Sequence, residues 1–214
     1  MSRSRSVSEE TLYRSIVGSS ASKNFSLLDF GCGDGTQMEV FRAFGAQEVS
    51  GLDVDEKFRS ENVVIETDTI GYLAKNPGRF DVIFARESLY YIPRDRQSEL
   101  FGALYGALKA DGKLVAICFN GVLTTSRYIY QKDFGMQVIF NEISMSELSR
   151  SAGFRKIEIL GVAPKARTAI GQVAINLLDG AVRIRCSFIH FLERRRDPFF
   201  PKVFTRSIVL VAEK

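Results

Sequence analysis

The sequence predicts an α/β fold, a largely parallel sheet with helices on both faces. Three observations carry this. The apolar run at Phe25–Phe30 breaks into glycines at Gly31, Gly33 and Gly35, and a helical pattern starts at Thr36. Further apolar runs, Glu48–Asp53, Asn62–Glu66, Arg79–Ala85 and Leu114–Phe119, alternate with helix-like segments. Acidic residues stand at or beside the ends of these runs, Asp29 and Asp53 foremost. A parallel strand buried on both faces reads as an unbroken apolar run, and alternating strands and helices imply crossover connections.

The 214 residues suit one domain, 1–214, and 45% hydrophobic content can fill a sizeable core. Lys and Arg number 29 against 25 Asp and Glu, a net charge of +4, which is too small to argue for nucleic acid as a partner. Cys32, Cys118 and Cys186 are widely spaced and odd in number, with neither zinc spacing nor a disulfide pattern, so a reduced, cytoplasmic setting is expected. Met1–Ser8 alternates serine and arginine, lacks the apolar core of a signal peptide, and reads as a frayed arm. No apolar run is long enough to span a bilayer.

Taken in order, Ser6-Val7-Ser8-Glu9 offers a capping box for a helix carrying Leu12 and Ile16, which Gly18 ends; together they form an N-terminal arm and helix, 1–22. After the first strand and its glycine turn, Met38, Val40, Phe41 and Phe44 suit a helix packed on the sheet, stopped by Gly45. Glu48–Asp53 is the second strand and Asn62–Glu66 the third, with Asp68 placed to cap a helix through Tyr72 and Leu73. Arg79–Ala85 is the fourth. Pro93 fits a helix's first turn, and Leu100, Leu104 and Leu108 recur at helical spacing. Lys109–Lys113 turns into the fifth strand, Leu114–Phe119. Ser144-Met145-Ser146-Glu147 reads as a second capping box, leading by Gly153 into a sixth strand, Phe154–Leu160; Phe204–Ala212 is the last. Two stretches depart from the alternation. Residues 120–145 carry Tyr128, Tyr130, Phe134 and Phe140, and residues 162–202 combine a helical apolar stripe with Arg183, Arg185 and Arg194–Arg196. Both are expected to form a substrate cap.

The glycine spacing Gly-x-Gly-x-Gly after Asp29 differs from the Gly-x-Gly-x-x-Gly of dinucleotide sites. It resembles motif I of the class I S-adenosylmethionine-dependent methyltransferases. The run Phe80-Asp81-Val82-Ile83, the segment Ala107–Leu114 before strand five, and Ser-Glu-Leu to Ala-Gly-Phe before strand six resemble the same family, over Phe25–Phe119 closely and Phe154–Lys214 more loosely. The resemblance implies a Rossmann-like seven-stranded mixed sheet whose antiparallel strand seven inserts between strands five and six. It also implies S-adenosylmethionine as methyl donor and S-adenosylhomocysteine as product. On these positions Asp29 would meet the donor's amino group directly or through water. Gly31, Gly33 and Gly35, with Phe30 and Cys32, would line its methionine part. Asp53, beside Val54, would hold the ribose and Asp68, beside Thr69, the adenine. Ala85 and Arg86 would offer backbone contacts.

On the acceptor side, Glu87, Tyr90 and Tyr91 follow strand four, and His190 is the only histidine. These are the candidate catalytic residues. The alternatives are surface pairing of Glu87 with Arg86 and a packing role for His190. No His/Cys/Asp cluster suggests a metal. The expected activity is methyl transfer by in-line displacement to a hydroxyl of a small molecule or glycan. A non-catalytic or membrane-surface donor-binding module and an RNA or protein methyltransferase compete with it, and a nicotinamide oxidoreductase ranks last.

Overall fold

The computed structural model describes residues 6–18, 25–163, 168–193 and 202–214. Eight strands form one sheet in the order β1-β7-β8-β6-β5-β2-β3-β4. They are β1 (Ser6–Val7), β2 (Ser26–Phe30), β3 (Glu48–Asp53), β4 (Val63–Ile65), β5 (Phe80–Arg86), β6 (Leu108–Phe119), β7 (Lys156–Val162) and β8 (Ser207–Glu213). All neighbours are parallel except β8, which lies antiparallel between β6 and β7. The seven expected strands are therefore β2 to β8, with the expected strand seven in its expected slot.

The eighth strand is a correction. Ser6–Val7, read from sequence as frayed arm and cap, pairs with Gly161–Val162 at the sheet edge. The cap of helix α1 (Glu9–Gly18) is Ser8, whose hydroxyl accepts from the Thr11 backbone N–H at 3.1 Å. The second cap is displaced in the same way. Asn141 caps α6 (Glu142–Ala152), and Ser144 supplies the reciprocal half of the box, so the helix starts ahead of Ser144. Asparagine at this position accepts two orphan N–H groups as well as serine does. Pro93 precedes a single 3-10 turn, Arg94–Arg96, and α4 (Gln97–Ala107) begins after it. Leu108 already belongs to β6, which runs through the expected turn with Asp111 at φ 62° and a register shift opposite Phe80–Val82.

The remaining helices are α2 (Thr36–Ala43), α3 (Thr69–Ala74), α5 (Thr124–Lys132) and α7 (Ala169–Glu193). Side chains alternate across the central strands. Leu27 and Phe84 face α1 and α2, meeting Leu12, Ile16, Met38 and Phe41, while Leu28, Ile83 and Leu114 face α3, α4 and α6, meeting Leu73, Leu104 and Met145. Both faces are thus covered, which is why β2, β5 and β6 read as apolar runs. Phe41 packs edge-on against Phe84 at 4.9 Å between centroids, and Tyr13 of α1 meets both rings. Asp81 lies at the opposite end of β5 from the glycine turn. Burial alone would raise its carboxyl, but Lys109 at 2.6 Å and the Ser26 N–H and hydroxyl outweigh that and hold it low. That residue ties strands together and has no part in the site.

Candidate active site

β2 pairs with β3 on one side and β5 on the other, so the loops leaving β2 and β5 diverge around the point where strand order reverses. In open α/β sheets that divergence opens the ligand crevice. The glycine turn occupies one wall. Gly31, Gly33 and Gly35 have φ of 73°, 52° and 79°, a region L side chains rarely enter. The Gly31 N–H donates to the Leu52 carbonyl at 2.7 Å, which pins the turn to β3. A Cβ on Gly31 would sit 2.3 Å from the Ser88 Cβ, whereas one on Gly33 would meet nothing within 4 Å. The first glycine therefore lets the β5 loop close in, and the second faces open space.

Asp53 organises the turn. One carboxylate oxygen accepts the Gly33 N–H at 2.8 Å; the other accepts the N–H groups of Val54 and Asp55 at 2.8 and 3.0 Å. Two carboxylate oxygens have about four acceptor sites, so some acceptor capacity remains. Asp68 stands on the same rim, after β4, as the N-cap of α3, accepting from Gly71 at 3.1 Å and remaining exposed. The two expected nucleoside anchors thus share one rim beside an open Gly33.

Asp29 differs from both. It is 1% exposed, and its Oδ2 has no hydrogen-bond partner among the described residues. Burial, reinforced by the Asp53 charge and opposed by Arg86, pushes its carboxyl up to about 7. A buried carboxylate without a partner costs stability; a cation arriving in the crevice would relieve it. An aminium group is the donor fragment that fits this orphaned oxygen. The residues present therefore fit S-adenosylmethionine at both ends.

The other candidates take differing positions. Phe30 points its ring into the core, and its carbonyl accepts from the Ser88 hydroxyl at 2.6 Å. Cys32 is buried against Gly51, and burial pushes its thiol up to about 12. Val54 is exposed, Thr69 buried at the start of α3, and Ala85 fully buried in β5. Arg86 donates to Glu9 at 2.8 Å and to the Tyr13 hydroxyl at 2.8 Å, and that hydroxyl also bonds Gln37 on α2 at 2.8 Å. This set ties α1 across the rim. Glu87, not Arg86, is left unpaired: its side chain makes no ion pair among the described residues, and its φ is 54°. Tyr90 is buried, stacked on Phe119 at 5.9 Å. Tyr91 is half exposed and donates to Asp133 at 2.9 Å. His190 lies on α7, and its side chain falls outside the described residues, as do Arg194–Arg196. Among the described residues no cluster suited to a metal occurs.

A cavity of about 380 Å³ includes Asp34 and Gly35 of the glycine turn, together with Met38, Lys57, Phe58 and Asn62. Two others include none of the turn's residues. One of about 350 Å³ is lined by Glu9, Arg86, Glu87, Phe119, Arg206 and Ser207. Another, of about 740 Å³, lies between α4, α6 and the first insert, with Tyr130 and Phe140 in its lining, and includes none of the residues from the glycine turn. Tyr128 is 65% exposed and is not in the lining of that cavity. Sequence reasoning passed over Glu9, Tyr13, Ser88, Phe119 and Arg206.

The methyltransferase-domain family model matches residues 5–159, and the chain belongs to that family. It is an S-adenosylmethionine-dependent methyltransferase. A search of curated protein sequences returns no match. Among solved structures, the chain is similar to an S-adenosylmethionine-dependent methyltransferase from Archaeoglobus fulgidus, with 19% identity, TM-score 0.65, and coverage of 95% of this chain and 93% of that one. A Mesorhizobium loti S-adenosylmethionine-dependent methyltransferase aligns at 17% identity and TM-score 0.57, covering 89% and 91%. Phosphoethanolamine N-methyltransferase 2 of Haemonchus contortus, in complex with S-adenosyl-L-methionine, aligns at 20% identity and TM-score 0.55; 95% of this chain spans only 52% of that one.

Proposed function

We propose that this methyltransferase acts on a hydroxyl of a small molecule or a single sugar unit, held in the cavity beside Glu87. The observation that carries this is the position of that cavity. It opens directly off the β5 end, shares Arg86 and Glu87 with the donor rim, and its 350 Å³ suit a compact acceptor. The Haemonchus contortus N-methyltransferase has also been captured with phosphomonomethylethanolamine and S-adenosylhomocysteine, which supports a small occupant but not the acceptor atom.

In this reading Asp29, the glycine turn, Asp53 and Asp68 hold the donor. When bound, S-adenosylmethionine supplies an activated methyl group on a sulfonium. The chain's task is then orientation, which contributes about 7–11 kcal/mol to such steps. Glu87 accepts the hydroxyl proton, while Tyr90 and Phe119 form an apolar wall that keeps water from the reacting atoms. Tritiated methyl donor incubated with the protein and a cell extract should label the fraction below about 1 kDa. Glu87→Gln should lower that labelling on the order of 10²–10⁴-fold, the usual range for general-base loss, while leaving donor affinity intact. Label in protein or RNA alone would contradict the proposal, and so would an unimpaired Glu87→Gln.

A second reading concerns where the enzyme works. On α7, a helix of 25 residues, Ile170, Val173, Leu177, Ile184 and Phe188 recur on one stripe and are 59–84% exposed. Residues 161–202 hold eight Lys or Arg against three Asp or Glu, so this stretch carries +5 and the remainder of the +4 chain −1. An exposed apolar stripe within the most basic stretch suits an anionic bilayer surface. No described helix is long and apolar enough to cross a membrane. Flotation with phosphatidylglycerol-containing vesicles should carry the protein up, and Leu177→Glu/Phe188→Glu should abolish that. Protein that stays at the bottom with wild-type sequence, or a discrete dimer in solution that the double variant dissolves, removes the membrane reading.

A further inference from the structure

The acceptor cavity contains a cation that the reaction itself does not require. Arg206, just before β8, reaches across the Phe119 ring with its guanidinium carbon 5.7 Å from the centroid. Phe119 stacks in turn on Tyr90, with rings nearly parallel at 16°. The base of this stack is fixed, because Tyr90 is 3% exposed and its carbonyl accepts the Gln137 and Val138 N–H groups. The Arg206 backbone is fixed as well: its carbonyl accepts the Asn120 N–H at 2.9 Å. So the arginine is held beside the ring and by its main chain, and its side-chain N–H groups make no hydrogen bond among the described residues. Among the described residues it makes no ion pair.

The other charges around the cavity are already balanced or have a different task. Arg86 and Glu9 neutralise each other at 2.8 Å. Glu87 stands at the β5 end, and its backbone N–H donates to Ile117 of β6 at 2.8 Å. Among the described residues, Arg206 and Glu87 line the same 350 Å³ without an ion-pair partner. Their separation exceeds ion-pair distance, so an occupant of the cavity can meet both. A planar guanidinium with free edges matches a carboxylate or phosphate in a two-bond fork. Its place against the Phe119 ring restricts where that fork can point.

From this arrangement we infer that Arg206 binds an anionic group, carboxylate or phosphate, carried by the methyl acceptor. The acceptor's proton-bearing oxygen then faces Glu87. This rests on the small-acceptor reading of the same cavity and narrows it to anionic molecules. The enzyme discriminates by charge at one end and positions its nucleophile at the other.

The test uses the full chain saturated with S-adenosylhomocysteine and three aromatic probes of similar size: benzoate, phenyl phosphate and benzyl alcohol. Calorimetry should find benzoate or phenyl phosphate binding at least tenfold more tightly than the alcohol. Whichever anion binds better indicates which of the two groups the site takes. Arg206→Gln should remove that preference, Arg206→Lys should keep part of it, and both variants should bind S-adenosylhomocysteine as the wild type does, which shows that they fold. Equal affinity for all three probes, no binding of either anion, or a preference that survives Arg206→Gln overturns the inference. Failure of the wild type to bind S-adenosylhomocysteine would instead strike at the donor site, a separate result.

Discussion

Asp29→Asn is expected to make the unliganded protein more stable at pH 8 while crippling donor binding. The carboxyl of Asp29 is raised to about 7, first by burial and then by Asp53, with Arg86 opposing. Between pH ~4 and ~7 the folded protein keeps a proton that the unfolded chain has released. Stability from this group is therefore greatest at the acid end, falls as pH rises toward 7, and is flat above it. Three units at ~1.36 kcal/mol each put the loss at about 4 kcal/mol as an upper figure. Asparagine has no such slope. Urea unfolding should show the variant ahead by about 2–4 kcal/mol at pH 8, with the gap closing near pH 4. Donor affinity behaves oppositely. The aminium of S-adenosylhomocysteine pairs only with the ionised carboxylate, so wild-type affinity should fall as pH drops below 7, and Asp29→Asn should weaken it roughly 100-fold and remove that pH dependence. A variant less stable at pH 8 than wild type would show that the buried carboxylate is already satisfied.

The second large effect belongs to Asp53. Removing its carboxylate frees the Gly33 N–H, which it holds at 2.8 Å, together with those of Val54 and Asp55. Val54 is 55% exposed, so water can serve its N–H. The turn around Gly33 loses its anchor and the donor its ribose acceptor together. Asp53→Ala should weaken S-adenosylhomocysteine on the order of 100–1,000-fold, with only a small change in melting temperature. Asp53→Asn keeps one oxygen, enough for the Gly33 N–H or for those of Val54 and Asp55 but not for both, so it should also weaken binding, by less than Asp53→Ala. Affinity within twofold of wild type for Asp53→Ala would remove Asp53 as the nucleoside anchor.

The contrast between these two carboxylates shows what sequence can convey. Both stand where apolar runs end, and their positions followed from strand pattern and glycine spacing. That Asp53 holds a turn while the Asp29 Oδ2 has no partner among the described residues depends on register: Asp29 opposite Gly51 on one side and Phe84 on the other. Strands covered on both faces were legible because burial forces an apolar run. Ser6–Val7 was not, since two residues at an edge carry no period. The caps were offset because Ser6 and Ser8 offer the same chemistry, and only the chain's path selects one. The rest of the site is long-range. Arg86 meets Glu9 across 77 residues, and Arg206 reaches Phe119 because β8 returns antiparallel beside β6. Glu87 was singled out by its place after β5; its positive φ had no glycine to announce it.

A crystal structure with S-adenosylhomocysteine bound tests the whole arrangement most directly. The account predicts the amino group within hydrogen-bond distance of Asp29, the ribose on Asp53, the adenine near Asp68, and the sulfur facing the cavity of Glu87, Phe119 and Arg206. A sulfur directed instead toward the larger cavity between α4 and α6, or a nucleoside lying away from Asp53, would contradict it.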